Sequence, residues 1–135
     1  MGMPATSTAS GVCFGMPDVC NVPSPVGPIP TPFPNIGTVA DAESTVSTVL
    51  IQNKETVTEA SSIPSSQGDE PGVAGGVVSG VNMGSVAWKQ ASSTVYAKGK
   101  RMAFATAMTA HNGSNANMPA GAQVAPSQAT VFVAV

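Results

Sequence analysis

The sequence predicts a small all-β domain with little helix and a thin apolar core. Valine occurs 18 times and leucine once, at Leu50, and β-branched residues favour strands over helices. Leucine, isoleucine, valine and phenylalanine together supply only 27 of 135 residues, a level at which folding is marginal. Because the net charge is only −2, disorder is not favoured. We therefore expect a core supported by a metal, a disulfide or a partner.

Composition also excludes several classes of function. Charged residues are 9% of the chain and the net charge is slightly negative, so there is no basic surface for nucleic acid. No run approaches the roughly 18 apolar residues of a membrane span, and the N-terminus lacks the features of a secretory signal. We expect a single domain over residues 1–135 that binds no nucleic acid and does not insert stably into membranes by itself.

The first element, residues 1–37, is predicted to be an extended strap rich in proline and glycine. The stretch PSPVGPIPTPFPNIG at 23–37 has proline at nearly every second position. Proline lacks a backbone N–H and pushes the preceding residue to extended angles, which predicts polyproline-like coil. Because Ile29, Phe33 and Ile36 are apolar, we expect the strap to pack on the body at 38–135 rather than act as a flexible linker.

The body reads as β-hairpins. TVSTVLIQNKETVT at 45–58 has two β-rich runs around a polar turn at 52–55. A second series has a run at 86–88, another at 94–97, a turn at 98–100 and a run at 102–105. The chain ends in ATVFVAV, which predicts a last strand.

Between the hairpins, residues 65–84 contain six glycines. Such density permits positive φ and close backbone approach. A nucleotide-binding loop is not indicated, because the run lacks a Gly-Lys-Ser/Thr ending and a strand-to-helix context.

His111 is the only histidine, so acid–base catalysis would depend on it. Asp69 and Glu70 are candidate carboxylate partners, but no Gly-x-Ser-x-Gly motif is present. We expect no enzymatic activity, with a small hydrolase or autoprocessing module using His111 as the alternative. A self-associating coat or adhesin unit is a third hypothesis.

Three interpretations of Cys13 and Cys20 remain open: two buried thiols, a disulfide, or metal ligation together with His111. The absence of a secretory signal implies synthesis in a reducing compartment, which weakens the disulfide. Zinc prefers four Cys or His ligands and the chain has three. A fourth ligand would be water, Asp18 or a group from another chain.

Several motifs in series resemble PAAR-like proteins of type VI secretion systems. They are PDVCNVPSPVGPIPTPFPNIG, SQGDEPGVAGGVVSG, GSVAWKQASSTVYAKGKR and TAHNGSN, which together cover roughly residues 17–115. The chain departs from the better-known members in lacking a Pro-Ala-Ala-Arg string and in having one histidine.

The resemblance implies a compact cone of hairpins that caps the blunt tip of a trimeric VgrG spike, one copy per trimer. It implies zinc, or else iron, near the apex, held by Cys20 and His111 with Cys13 as a third ligand. It also implies an adaptor for separately encoded effectors, assembled in the bacterial cytoplasm and ejected with the spike. Candidate partner-binding residues within the motifs are Gly68, Asp69, Glu70, Gly75, Gly76 and Trp88.

Overall fold

A computed structural model describes residues 2–134 and is nearly all β, which confirms the predicted fold class. It has twelve strands and, in its described part, one turn of 3₁₀ helix at Val39–Asp41. No helix among these residues has the length and apolar character needed to cross a membrane. The strands are β1 Gly2–Pro4, β2 Val12–Val22, β3 Ile29–Thr38, β4 Val46–Ile51, β5 Lys54–Thr56, β6 Ser62–Ile63, β7 Val86–Trp88, β8 Tyr96–Ala97, β9 Lys100–Arg101, β10 Met108–His111, β11 Met118–Ala125 and β12 Phe132–Ala134.

The largest sheet is antiparallel and has six strands in the order β3-β2-β11-β10-β7-β6. Its longest pairing joins β2 and β3, from Val12 opposite Thr38 to Val22 opposite Ile29. Three further sheets have two strands each: β1-β12, β4-β5 and β8-β9. We call these pairs arm 1, arm 2 and arm 3.

The N-terminal segment is extended, as predicted, but most of it forms strands β2 and β3 of the main sheet rather than polyproline-like coil. The period-two spacing of Pro30, Pro32 and Pro34 explains the difference, because alternate residues of a strand direct their N–H groups to the same side. Ile36 continues this series, and its N–H points away from β2 to the carbonyl of Gln67 at 2.7 Å. The missing donors therefore lie on the outer side of β3, an edge strand, where proline is tolerated.

The hairpins predicted at 45–58 and 94–105 are found as arms 2 and 3, but the return strand of arm 3 is Lys100–Arg101 rather than the run at 102–105. Each is closed by a two-residue turn with positive φ at both positions: 51° and 66° at Gln52 and Asn53, and 52° and 79° at Lys98 and Gly99. Such turns match the twist of a hairpin. Arm 1 has the same pairing but joins the two ends of the chain, so β1 and β12 are not linked by a turn.

The three arms meet in a closed ring of backbone hydrogen bonds formed by residues 4–8, 55–59 and 101–105. The N–H of the middle residue of each segment donates to the carbonyl of another middle residue: Thr6 to Ala103, Ala103 to Val57 and Val57 to Thr6, at 3.0, 3.1 and 3.0 Å. In a second cycle, the N–H of the last residue of each segment donates to the carbonyl of the first residue of another segment. These bonds join Thr8 to Glu55, Glu59 to Arg101 and Ala105 to Pro4, at 3.0, 2.9 and 2.9 Å.

Both cycles repeat the same offsets three times, so the backbone of the ring has pseudo-threefold symmetry. A turn follows each segment, and the chain then enters a strand of the main sheet, β2, β6 or β10. The arms share a sequence pattern of Thr-Val, a large apolar residue and an aliphatic one: TVLI at 48–51, TVYA at 94–97 and TVFV at 130–133.

The apolar core is small and lies beside the ring. It includes Val57 and Ala103 of the ring together with Ile63, Val86 and Trp88 of the main sheet. Trp88 is 3% exposed, and its indole N–H donates to the Gln123 side chain at 3.2 Å. Buried polar side chains are nearly as numerous as buried apolar ones, so the thin core predicted from composition is supplemented by a polar interior.

Candidate functional site

A buried group of polar side chains lies towards the other end of the main sheet from the ring, and we call it the apical cluster. Strand β2 leads away from ring segment 4–8, and Asp18 lies six residues into it, or about 20 Å along an extended strand. The cluster draws on β2, β3, β10 and the loops at 64–85 and 112–117. Its members are Asp18, Cys20, Asn35, Ser66, Asp69, His111, Asn112 and Asn117, all at most 8% exposed.

Asp18 is the acceptor on which the cluster converges. The side-chain amide N–H groups of three asparagines donate to its carboxylate: Asn35 at 3.0 Å, Asn112 at 3.1 Å, and Asn117 in a shorter contact. Burial by itself raises the pKa of Asp18, but these hydrogen bonds and that with Asp69 outweigh it and hold the pKa below its ordinary value. Asp18 is therefore a buried carboxylate stabilised by amide donors.

Backbone contacts fix the orientation of two of these amides. The Asn112 side-chain oxygen accepts from the N–H of Gly84 at 2.9 Å, and the Asn117 oxygen accepts from the N–H groups of Val78 and Ser79 at 2.8 and 3.3 Å. Their NH₂ groups must therefore face inward. Both also lie near the Cys20 sulfur, at 3.4 and 3.9 Å.

His111 is bonded at both ring nitrogens. Its Nδ1 lies 2.8 Å from the Asn35 side-chain oxygen, and its Nε2 lies 2.7 Å from the Thr109 hydroxyl. Because the Asn35 nitrogen donates to Asp18, its oxygen is left to accept, so Nδ1 carries the proton and Nε2 accepts from Thr109. Burial lowers the pKa of His111 to about 4 despite the opposing charge of Asp18. The ring is a neutral structural member of the cluster.

The surroundings raise the pKa values of both Asp69 and Cys20: Cys20 is a protonated thiol at neutral pH, whereas Asp69 takes up its proton only near pH 6 and below. Burial, followed by the hydrogen bond with Asp18, raises the pKa of Asp69 to about 6, against the N–H of Met83, which donates to it. Burial and the charges of Asp18 and Asp69 raise the pKa of Cys20 to about 12. The Cys20 sulfur lies 3.6 Å from a carboxylate oxygen of Asp18 and 3.7 Å from one of Asp69, and its S–H is the donor in both contacts.

Asp18, Cys20 and Asp69 each offer one ligand atom, and these atoms lie within 4.8 Å of one another, so this buried group could hold a metal ion. Of the three metal ligands predicted from the resemblance, only Cys20 belongs to this group. Cys13 is a free thiol in the apolar core, Cys20 is a free thiol in the cluster, and both ring nitrogens of His111 are occupied by Asn35 and Thr109. The structure therefore groups Cys20 with Asp18 and Asp69, and not with Cys13 and His111, as candidate metal ligands.

The predicted partner-binding residues also separate. Gly68, Asp69, Glu70, Gly75 and Gly76 lie in the loop around the apical cluster, whereas Trp88 is in the core. Only Glu70 is exposed, and its carboxylate accepts from the N–H of Gly68 at 3.1 Å. Asp69, Gly75, Gly76 and Trp88 are buried, so a partner could reach them only after local unfolding. The expected close backbone approach does occur, since a side chain at Gly76 would collide with Asn117.

Sequence reasoning missed two sets of residues. Asn35, Asn112 and Asn117 are uncharged and belong to no metal-binding motif. Only their shared hydrogen bonding to Asp18 in the structure identifies them as members of the site. The arms that lead into the ring had a signal that was available in the sequence, because Thr-Val followed by a large apolar residue occurs three times, at 48–51, 94–97 and 130–133.

A family model described as the toxin PAAR-like domain matches residues 11–119 of the chain. No curated protein and no solved structure matches the chain. The matched range includes the whole apical cluster and two of the three ring segments.

Proposed function

The chain belongs to the toxin PAAR-like domain family, and we propose that it is the tip of a type VI secretion spike, seated by its ring end on the blunt end of a trimeric VgrG-type protein. Membership indicates a spike-related or toxin-associated function, and the family is generally non-enzymatic. The finer assignment, a cap with one copy per trimer, is our proposal.

The pseudo-threefold ring is the observation that carries this proposal. A single chain has no need of threefold symmetry to fold, yet three segments distant in sequence repeat the same hydrogen-bond offsets around one centre. A homotrimer ends in three identical sets of groups. A monomer whose own backbone repeats three times can meet all three subunits in the same way, which an asymmetric surface cannot do.

The physical need for a cap arises at the end of the trimer. A three-chain β-shaft that stopped without one would expose unpaired strand edges and apolar interior to water, and both promote aggregation. In the proposed complex, the three two-stranded arms at the ring end would cover that position. From this role we also propose that the chain assembles in the bacterial cytoplasm, leaves with the spike, and serves as an adaptor for separately encoded effectors.

The spike complex is testable by its mass. Purified chain mixed with a purified trimeric VgrG-type spike protein is expected to elute as one complex containing one chain per trimer, measured by size exclusion with light scattering. The chain alone is expected to elute as a monomer. Three chains per trimer, no complex, or a homo-oligomer of the chain alone would contradict the proposal, and the last would favour the self-associating unit.

We propose further that the apical cluster stabilises this end of the domain through hydrogen bonds rather than through zinc. Inward-facing amide donors of Asn112 and Asn117 occupy the surroundings of Asp18 and Cys20 where a cation would have to approach. Their oxygens are held by backbone N–H groups, so neither amide can turn an oxygen inward without losing those bonds. A donor-lined site disfavours a cation.

Elemental analysis distinguishes the two arrangements. Protein never exposed to a chelator is expected to contain less than about a tenth of an equivalent of zinc or iron, and EDTA is expected to leave its melting temperature unchanged. A content near one equivalent, with a lower melting temperature in EDTA, would contradict this proposal and assign a metal to Asp18, Cys20 and Asp69.

A further inference from the structure

Each arm carries one large apolar side chain at an equivalent place. The first residues of the ring segments, Pro4, Glu55 and Arg101, are equivalent because the carbonyl of each accepts the same ring hydrogen bond. Their cross-strand partners are Phe132, Leu50 and Tyr96, respectively. These three residues, which we call the apolar triad, are 55%, 55% and 57% exposed.

The residue after each triad member faces the opposite way. Val133, Ile51 and Ala97 are 5%, 4% and 1% exposed and belong to the apolar core. Because successive side chains of a strand point to opposite faces, the triad members all lie on the outer face of their arms. The arms thus agree in pairing and in burial as well as in sequence pattern.

Folding of the domain does not explain the exposed position. Single apolar residues on a surface are common and need no explanation, but here one stands at the same place in all three arms. A Ser or Lys at these positions would leave the inner face of each arm unchanged. The repeated choice of a large apolar residue indicates a contact outside the chain.

From this arrangement we propose that the apolar triad is the contact by which the chain binds a homotrimeric protein, with each member entering the same apolar site on a different subunit. The inference rests on the proposed function and adds the residues and the chemistry of the contact. Since Leu, Tyr and Phe must fit identical sites, each site is an apolar recess open at its far end, where the Tyr96 hydroxyl remains in water.

The charges of the arms support an apolar contact over an ionic one. Arm 1 has no charged side chain, arm 2 has Lys54 and Glu55, and arm 3 has Lys98, Lys100 and Arg101. A trimer offers the same charges three times, so it cannot complement all three arms electrostatically. An exposed apolar side chain is the one feature of this kind that all three arms present to a partner.

Binding of three single variants to a purified trimeric VgrG-type spike tests the inference. Leu50→Ser, Tyr96→Ser and Phe132→Ser are each expected to weaken binding by about tenfold or more, and the triple variant to abolish detectable binding, since truncating an anchor side chain has effects of this size. Their melting temperatures are expected to stay close to that of the unmodified chain, because the side chains are exposed. Val124→Ser is the matched control, since Val124 is 61% exposed on β11, outside the arms.

The outcomes separate this inference from the proposed function. If the unmodified chain binds the trimer and the three single variants bind equally well, the triad is not the contact although the cap proposal stands. Loss of binding in one variant while the other two bind normally would also overturn the inference, because it requires equivalence. An unmodified chain that binds no trimeric spike overturns the proposed function and the triad together.

Discussion

The Ala103→Asp variant is expected to lose roughly 3 kcal/mol or more of folding stability. Ala103 is fully buried in the apolar core, and it both donates to and accepts from the other two ring segments. A carboxylate there would be buried within the ring. The described cation nearest in sequence, Arg101, is already paired with Glu59. An uncompensated buried charge is among the few single changes with effects of this size.

Thermal and urea unfolding measure the effect. We expect a melting temperature lower by roughly 10 °C or more, and a comparable loss for Val57→Asp at the equivalent ring position. Ala120→Asp is the matched control, because it makes the same substitution at an exposed position of β11. A melting temperature of Ala103→Asp as high as that of the control would show that the ring is not a cooperative part of the fold.

Some of this architecture was predictable because its signals are local. The β-rich runs on either side of the turns at 52–53 and 98–99 are enough to predict arms 2 and 3. The proline-rich segment was predicted to be coil from its number of prolines. Their alternation decides the structure, because the backbone nitrogens of Pro30, Pro32 and Pro34 all point away from β2. The spacing of the prolines therefore predicts a strand, whereas their number alone predicts coil.

The apical cluster was harder to predict because its contacts span the chain. Asp18 receives amides from Asn35, Asn112 and Asn117, which lie 17, 94 and 99 residues away. No spacing rule links such residues, so the two cysteines and the histidine drew attention instead. Cys20 was predicted as a metal ligand and Asp69 as a partner-binding residue, and both lie in the cluster, but the neutral asparagines supply most of the hydrogen bonds to Asp18.

The ring was a different case, because its sequence signal is present but does not predict its geometry. Three copies of Thr-Val followed by a large apolar residue are compatible with three ordinary strands. Only the closure of the two hydrogen-bond cycles shows that the copies surround one centre. The repeat then explains why β1 and β12, at opposite ends of the chain, pair as the two internal hairpins do.

At the apical cluster, the isosteric change Asp18→Asn is expected to cost roughly 3 kcal/mol or more. The substitution keeps the shape of the side chain but replaces a carboxylate oxygen by an NH₂ group and removes the charge. Three asparagine amides now donate to this carboxylate. At least one of them would face another donor in a site closed to water.

The cluster cannot relieve that conflict by rotating the neighbouring amides. Turning Asn112 or Asn117 would withdraw an oxygen from the partly buried backbone N–H groups of Gly84, Val78 and Ser79, and would aim that oxygen at the Asp18 side chain in place of a donor. Urea unfolding at neutral pH measures the loss. Asp41→Asn, the same change at an exposed position of the 3₁₀ turn, is expected to leave stability within about 0.5 kcal/mol. Equal stability of the two variants would mean that the amides do not hold Asp18 as a carboxylate.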